Sequence, residues 1–223
     1  MTDTTIINTS DGSHSLFNRA LNETYHSVHG AVQESKHVFI QHGLDYWLQQ
    51  NPAKEIRILE IGFGTGLNAF LTFLHPAIKD IKVYYESWEA FPLPMEVLTQ
   101  LNYPNLLGSP EKFIQMHEAP WNTPIAISKD VVLHKHQGDI TKSELAEGSS
   151  FDLIYYDAFA PSKQPELWTL EVLRKVTDVL APNGVWVTYC AKGQLKRDLK
   201  LLGLKTETLQ GPPGKKEMVR ALR

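Results

Sequence analysis

Between Ile58 and Phe70 the chain reads ILEIGFGTGLNAF: an apolar run into Glu60, glycines at 62, 64 and 66, then an apolar helical pattern. Glycines where a strand turns into a helix permit a tight bend and close approach of a ligand to the backbone, and the helix start offers free N–H groups. The nicotinamide fingerprint G-x-G-x-x-G would need a glycine where Leu67 stands, and the Gly-Lys-Ser/Thr ending of a phosphate-cradling loop is absent. About twenty residues past the glycines lies the position from which an acid binds ribose hydroxyls, and both Glu86 and Glu89 are eligible. Gly138-Asp139 follows the next strand pattern, and Asp157 ends the one after. Any one of these acids could be a helix N-cap. Acids at three successive strand ends instead suit a nucleoside, whose hydroxyl and amino groups donate; a pyrophosphate would be repelled.

The elements that must position these groups follow from hydrophobic periodicity. Two short extended pieces flank Asp11-Gly12, and SKHVFIQHGLDYWLQQNP reads as a helix stopping before Pro52. From Glu55 strand and helix alternate. IRILEI is a buried strand, and LNAFLTFL a helix with Leu67, Phe70, Leu71 and Leu74 on one face. IKVYYESW is a strand and LPMEVLTQL a short helix, whereas residues 102–130 give no clear pattern. DVVLHKH and FDLIYYDAF are strands. PELWTLEVLRKVTDVL predicts one long amphipathic helix with Pro165 in its first turn, closed by APNG. VWVTYC is a strand and GQLKRDLKLLG a helix. LKTETLQ and KKEMVRAL are two last strands whose short Gly/Pro turn predicts antiparallel pairing at a sheet edge. Such alternation implies an α/β fold with a mostly parallel sheet, helices on both faces and an antiparallel edge strand. Residues 1–52 are read as an N-terminal extension packed on the core, and 53–223 as the main domain.

The 223 residues suffice for one sizeable core, with 42% hydrophobic and 21% charged residues. A net charge of −3 argues against bulk coating of nucleic acid but allows a local basic patch. Cys190 alone excludes an internal disulfide and fits a reducing cytoplasm. The polar N-terminus carries no secretory pattern, and the uncharged stretch 61–78 is broken by glycines and Pro76, so no membrane partner is expected. His26, His29, His37, His42, His134 and His136 show no metal-ligand spacing, and no metal is expected.

EIGFGTGLN resembles motif I of class I S-adenosylmethionine-dependent methyltransferases, in the version carried by the tRNA wobble-uridine methyltransferases, the methyltransferase half of bifunctional MnmC and its stand-alone MnmD relatives. WEAFPL, GDI and above all DAFAPSKQPELW continue the resemblance, which reaches LAPNG and GKKEM; YHSVHGAVQESKHVFI is also similar to the stand-alone members. Ala158 and Asn183 replace usual glycines, and Asn tolerates a left-handed backbone.

The resemblance implies a Rossmann-like class I fold and S-adenosyl-L-methionine as cofactor. It implies methyl transfer to the amine of 5-aminomethyl-(2-thio)uridine at wobble position 34, with the anticodon stem-loop of tRNA as partner and the cytoplasm as location. It assigns Glu60, Gly62, Gly64, Gly66, Asn68, Glu89, Asp139 and Asp157 to the cofactor, Asp157 also to catalysis, and Phe159, Pro161, Lys163, Tyr25, Ser27 and Glu34 to the substrate. Lys163, Lys192, Lys196, Arg197, Lys200, Lys215 and Lys216 make the C-terminal half locally basic, suited to phosphate contact. Bifunctional members carry a flavin-dependent oxidase after this domain, which is expected to be lacking after Arg223. An aminopropyl transferase or another small-molecule N-methyltransferase on the same fold is the competing enzyme reading. A cofactor-binding module without catalysis is the non-enzymatic one. A lysine in APSKQP, where a polyamine would need an acid, argues against aminopropyl transfer.

Overall fold

The computed structural model describes residues 4–223. Strands β1 (Thr4–Asn8), β2 (His14–Asn18) and β3 (Glu23–Thr24) form a small antiparallel sheet, with the turn at Asp11-Gly12 where the sequence puts it. A helical run over residues 31–50 follows, α-helical over Ala31–Ser35, π-type over Lys36–Asp45 and α-helical again over Tyr46–Gln50. It lies on the main sheet at Gly43, where an added Cβ would stand 3.1 Å from both the Tyr155 ring and Val187.

The main sheet is built from β4 (Glu55–Ile61), β5 (Lys82–Glu89), β6 (Ile125–Ala126), β7 (Val131–Gln137), β8 (Phe151–Tyr156), β9 (Leu180–Thr188), β10 (Lys205–Gln210) and β11 (Glu217–Leu222). Their order is β10-β11-β9-β8-β4-β5-β7-β6. Pairs β4/β5, β4/β8, β5/β7 and β8/β9 are parallel, and β10 and β11 pair antiparallel at one edge as expected. The two-residue β6, antiparallel to β7 at the other edge, has no sequence signal.

Central strands read as continuous apolar runs because both faces are covered. On one face Phe39, Leu44 and Phe70 pack with Tyr85, Leu153 and Val187; on the other Leu173, Val176 and Leu199 pack with Leu59, Ile154 and Trp186. The helix Leu67–Leu74 is buried from Leu67 through Phe73, not on one face only, since helical run 31–50 and helix Pro110–Glu118 enclose it. Its buried Thr72 is satisfied by donating to the Asn68 carbonyl at 2.8 Å.

Two boundaries differ from expectation. The long helix divides into a 3₁₀ turn, Pro165–Trp168, and a helix, Leu170–Asp178. Thr169 between them is extended (ψ 151°), and its hydroxyl caps Val172 N–H. The APNG segment does not lie in a turn after the helix. It is a bulge within β9, where the register passes from Phe151 opposite Leu180 to Leu153 opposite Val185. Asn183 there takes φ 62°, the left-handed conformation. The unreadable stretch 102–130 contains helices Tyr103–Leu107 and Pro110–Glu118. Among the described residues, no helix is long and apolar enough to cross a membrane.

Candidate active site

From β4 the sheet grows through β5 and β7 to one side and through β8 and β9 to the other, so the switch point lies between β4 and β8. A cavity of about 1170 Å³ opens at the carboxyl ends of these strands. Pockets for one drug-sized ligand span about 300–1000 Å³, so this one suits two ligands side by side. Its walls include Gly62, Gly64 and Asn68 after β4, Trp88 and Glu89 on β5, Asp139 after β7, and Asp157 and Phe159 after β8. Tyr25, His26, Ser27 and Glu34 supply the opposite wall from the N-terminal segment, joined by Lys163, Tyr189 and Lys215.

The glycine turn is shaped by close backbone approach. Gly62 has φ +93°, and a Cβ on it would stand 2.6 Å from the Asp157 carbonyl oxygen, so a side chain there would push β4 and β8 apart. Gly64, at φ +49°, donates its N–H to Glu89 Oε2 at 2.9 Å, while Phe91 N–H donates to Oε1 at 2.8 Å. Two backbone donors thus hold the Glu89 carboxyl at the end of β5, and burial pushes its pKa up. Glu86, the other eligible acid, instead pairs with His136 away from the cavity wall.

Below the turn, the side-chain amide of Asn68 donates to two carboxylates, Asp157 Oδ2 at 2.8 Å and Glu60 Oε1 at 3.1 Å. Ser87 Oγ–H occupies the other Glu60 oxygen at 2.8 Å. Glu60 is wholly buried, lies outside the cavity wall and holds Asn68 from beneath. Gly66 and Pro161 also lie outside the wall; Gly66 faces His117. Burial pushes Glu60 up to about 8. Burial and then the Glu34 charge raise Asp157 to about 7, against the pull of Asn68 and Lys215. Asp157 is therefore poised to take or give a proton near neutral pH. Asp139 differs. The Thr141 hydroxyl and N–H bond its Oδ1 at 2.7 and 3.0 Å, Lys142 lies 3.1 Å from Oδ2, and the Thr141 bond holds its carboxyl below the usual range.

On the facing wall, Tyr25 meets Phe159 edge-on with centroids 5.0 Å apart, and Lys163 Nζ donates to the Asn22 carbonyl at 3.0 Å. Glu34 is buried, accepting Ser27 N–H at 2.7 Å and Lys215 Nζ at 2.5 Å. Lys215 also lies 3.8 Å over the Tyr189 ring. Both contacts set it into the cavity wall. Sequence reasoning missed His26, which shares a 2.8 Å hydrogen bond with Thr65 and is lowered by burial to about 4, hence neutral. It also missed Tyr189, which the rule of strand ends would have found one residue past β9.

The walls fit an S-adenosylmethionine ligand. Asn68 Oδ1 is a buried acceptor with no partner among the described residues. Gly64 and Glu89 both line the cavity, with the Tyr25 ring 3.3 Å from where a Cβ on Gly64 would stand.

Residues 109–223 match the profile of the S-adenosyl-L-methionine-dependent methyltransferase family. The chain is 28% identical over 206 residues to the tRNA 5-methylaminomethyl-2-thiouridine biosynthesis bifunctional protein MnmC of Leptospira borgpetersenii serovar Hardjo-bovis (strain JB197), covering 88% of this chain and 32% of that one. With the protein of the same name from Idiomarina loihiensis it shares 31% over 213 residues, 88% of this chain and 35% of the relative. It spans about a third of the length of the curated relatives it matches. The crystal structure of MNMC2 from Aquifex Aeolicus superposes with a TM-score of 0.78 at 26% identity, over 99% of this chain and 70% of that chain. With the family profile covering over half of its length, the chain belongs to the S-adenosyl-L-methionine-dependent methyltransferases.

Proposed function

We propose that the chain methylates the primary amine of 5-aminomethyl-(2-thio)uridine at wobble position 34 of tRNA, giving 5-methylaminomethyl-(2-thio)uridine. The observation that carries this reading is the Asp157 carboxyl, raised to about 7 on the wall of a cavity large enough for cofactor and nucleoside together. S-adenosylmethionine, when bound, supplies a methyl group on a sulfonium that an amine lone pair can displace. Gly62, Gly64 and Asn68 would hold its methionine part, Glu89 its ribose and Asp139 its adenine amino group. The amine must be neutral to attack. If its pKa were near that of lysine, losing the proton at pH 7 would cost roughly 4–5 kcal/mol. Asp157 accepts that proton or orients the amine, and positioning does most of the remaining work.

The segment from Phe17 to Glu34 acts as the substrate-side wall. Tyr25 and Phe159 offer aromatic faces to the uracil, and Glu34 and Ser27 lie behind them. Lys192, Lys196, Arg197 and Lys200, on and beside the helix Gly193–Leu201, are the phosphate contacts, so tRNA affinity falls steeply with added salt. Such a substrate puts the work in the cytoplasm. The names of the curated relatives support the same substrate, while Lys163 on the cavity wall opposes a polyamine and with it aminopropyl transfer. Nucleoside analysis of tRNA from a deletion strain tests the reading. Accumulated 5-aminomethyl side chains support it, and an unchanged 5-methylaminomethyl pool refutes it.

A further inference from the structure

Beside the cavity wall, on the sheet face opposite buried Tyr85, Leu133 and Lys135, a second group of donor atoms converges. In the parallel register of β5 and β7, Glu86 stands directly across from His134, and Trp88 across from His136. Residues two apart on a strand share a face, so both imidazoles and the carboxylate project together. His136 Nε2 lies 3.1 Å from Glu86 Oε2, and the two imidazole centroids are 3.8 Å apart. One ligand atom from each of the three residues lies within 4.8 Å of the others, and all three side chains are partly buried.

We propose that Glu86, His134 and His136 form a binding site for a divalent transition-metal ion, with Zn²⁺ the fitting occupant. Two imidazoles and one carboxylate are a donor set that zinc accepts, leaving a fourth position for water. The same set disfavours Mg²⁺ and Ca²⁺, which require oxygen ligands. Zinc bonds of about 2.0–2.1 Å place tetrahedral donors roughly 3.3 Å apart, so side-chain rotation of about 1–1.5 Å closes the cluster. The outer contacts suit the task. The His134 ring is bonded by the backbone of Asn122, and His136 stacks on Trp88 at 4.5 Å and 8°. Partners of this kind fix ring orientation around an ion. An ion here ties β5 to β7, and because Trp88 also lines the cavity, it stiffens the wall next to Glu89.

The test uses tag-free, EDTA-treated full chain titrated with ZnCl₂ by calorimetry. One ion per chain is expected in the wild type. Affinity should fall by at least about tenfold in each of His134→Gln, His136→Gln and Glu86→Gln, with each fold checked by circular dichroism. His37→Gln, in the separate pair of His37 and His42, should leave this event unchanged. A parallel titration with Ni²⁺ should quench a fluorescence component that Trp88→Phe lacks. Absence of a binding event in the wild type, or an event undisturbed in the folded cluster variants, overturns the site.

Discussion

The amide of Asn68, in the first turn of the helix Leu67–Leu74, donates to Asp157 at 2.8 Å and couples the glycine turn to the end of β8. This bond pulls against the burial that raises Asp157. Removing it in Asn68→Ala should move Asp157 further up and leave less carboxylate at neutral pH. A hydrogen bond to a charged group is worth about 1.5–3 kcal/mol, so the rate at pH 7, where the wild-type carboxyl is half ionised, should drop roughly 7- to 80-fold. Part of the loss should return at pH 9, read as an alkaline shift of the acid limb of kcat. A uniformly scaled, unshifted profile would show that Asn68 acts only on the fold.

Asp157 itself separates chemistry from binding. With burial raising its carboxyl to about 7, the wild-type rate should climb as pH rises through neutrality, because the carboxylate is the proton acceptor. Asp157→Asn should be slow and lack that climb, since an amide orients a group but takes no proton. Calorimetry with S-adenosylmethionine should give Asp157→Ala nearly wild-type affinity. A near-wild-type rate for Asp157→Asn across pH would reduce Asp157 to a structural role.

Glu60 makes a stability prediction with a definite sign. Burial raises it in the folded chain to about 8, above the free value of about 4.3. The folded state then binds its proton more tightly, so its contribution to stability is present below about pH 4.3 and lost as pH rises through about 8. Glu60→Gln has no charge to bury. Its melting temperature relative to wild type should therefore increase between pH 5 and pH 9, by about 2–4 °C for each kcal/mol relieved. A pH-independent difference would mean that Glu60 has the same pKa in the folded and unfolded chains.

Gly62→Ala combines strain and collision, at φ +93° with a Cβ 2.6 Å from a backbone oxygen. It should cost about 1–3 kcal/mol in denaturant unfolding. S-adenosylmethionine affinity should fall as well, because relief requires β4 and β8 to part beneath the ligand. Unaltered stability and affinity would contradict the close crossing.

Much of this was legible because the pattern reports burial. Continuous apolar runs gave β4, β5, β8 and β9, and the Gly/Pro turn gave the pairing of β10 with β11. Local capping was harder to see. Thr169 breaks an amphipathic pattern that period alone joins, and Asn183 turns an apparent helix stop into a strand bulge. Strand-end acids marked the cavity, but Glu86 and Glu89 were separable only by which sheet face each takes. The same holds for His134 and His136, whose carboxylate partner is distant in sequence and adjacent only through register. Lys215 read as one of several surface lysines, and its pairing with Glu34 across 181 residues had no local signal.

The most direct measurement is methyl transfer by the purified chain from labelled S-adenosylmethionine to two tRNA pools. One carries 5-aminomethyl and the other 5-carboxymethylaminomethyl wobble side chains, with products identified as nucleosides. Label is expected in 5-methylaminomethyluridine, or its 2-thio form, from the first pool, and none there with Asp157→Ala. Failure to label the first pool, together with activity on a free polyamine or a peptide, would contradict it.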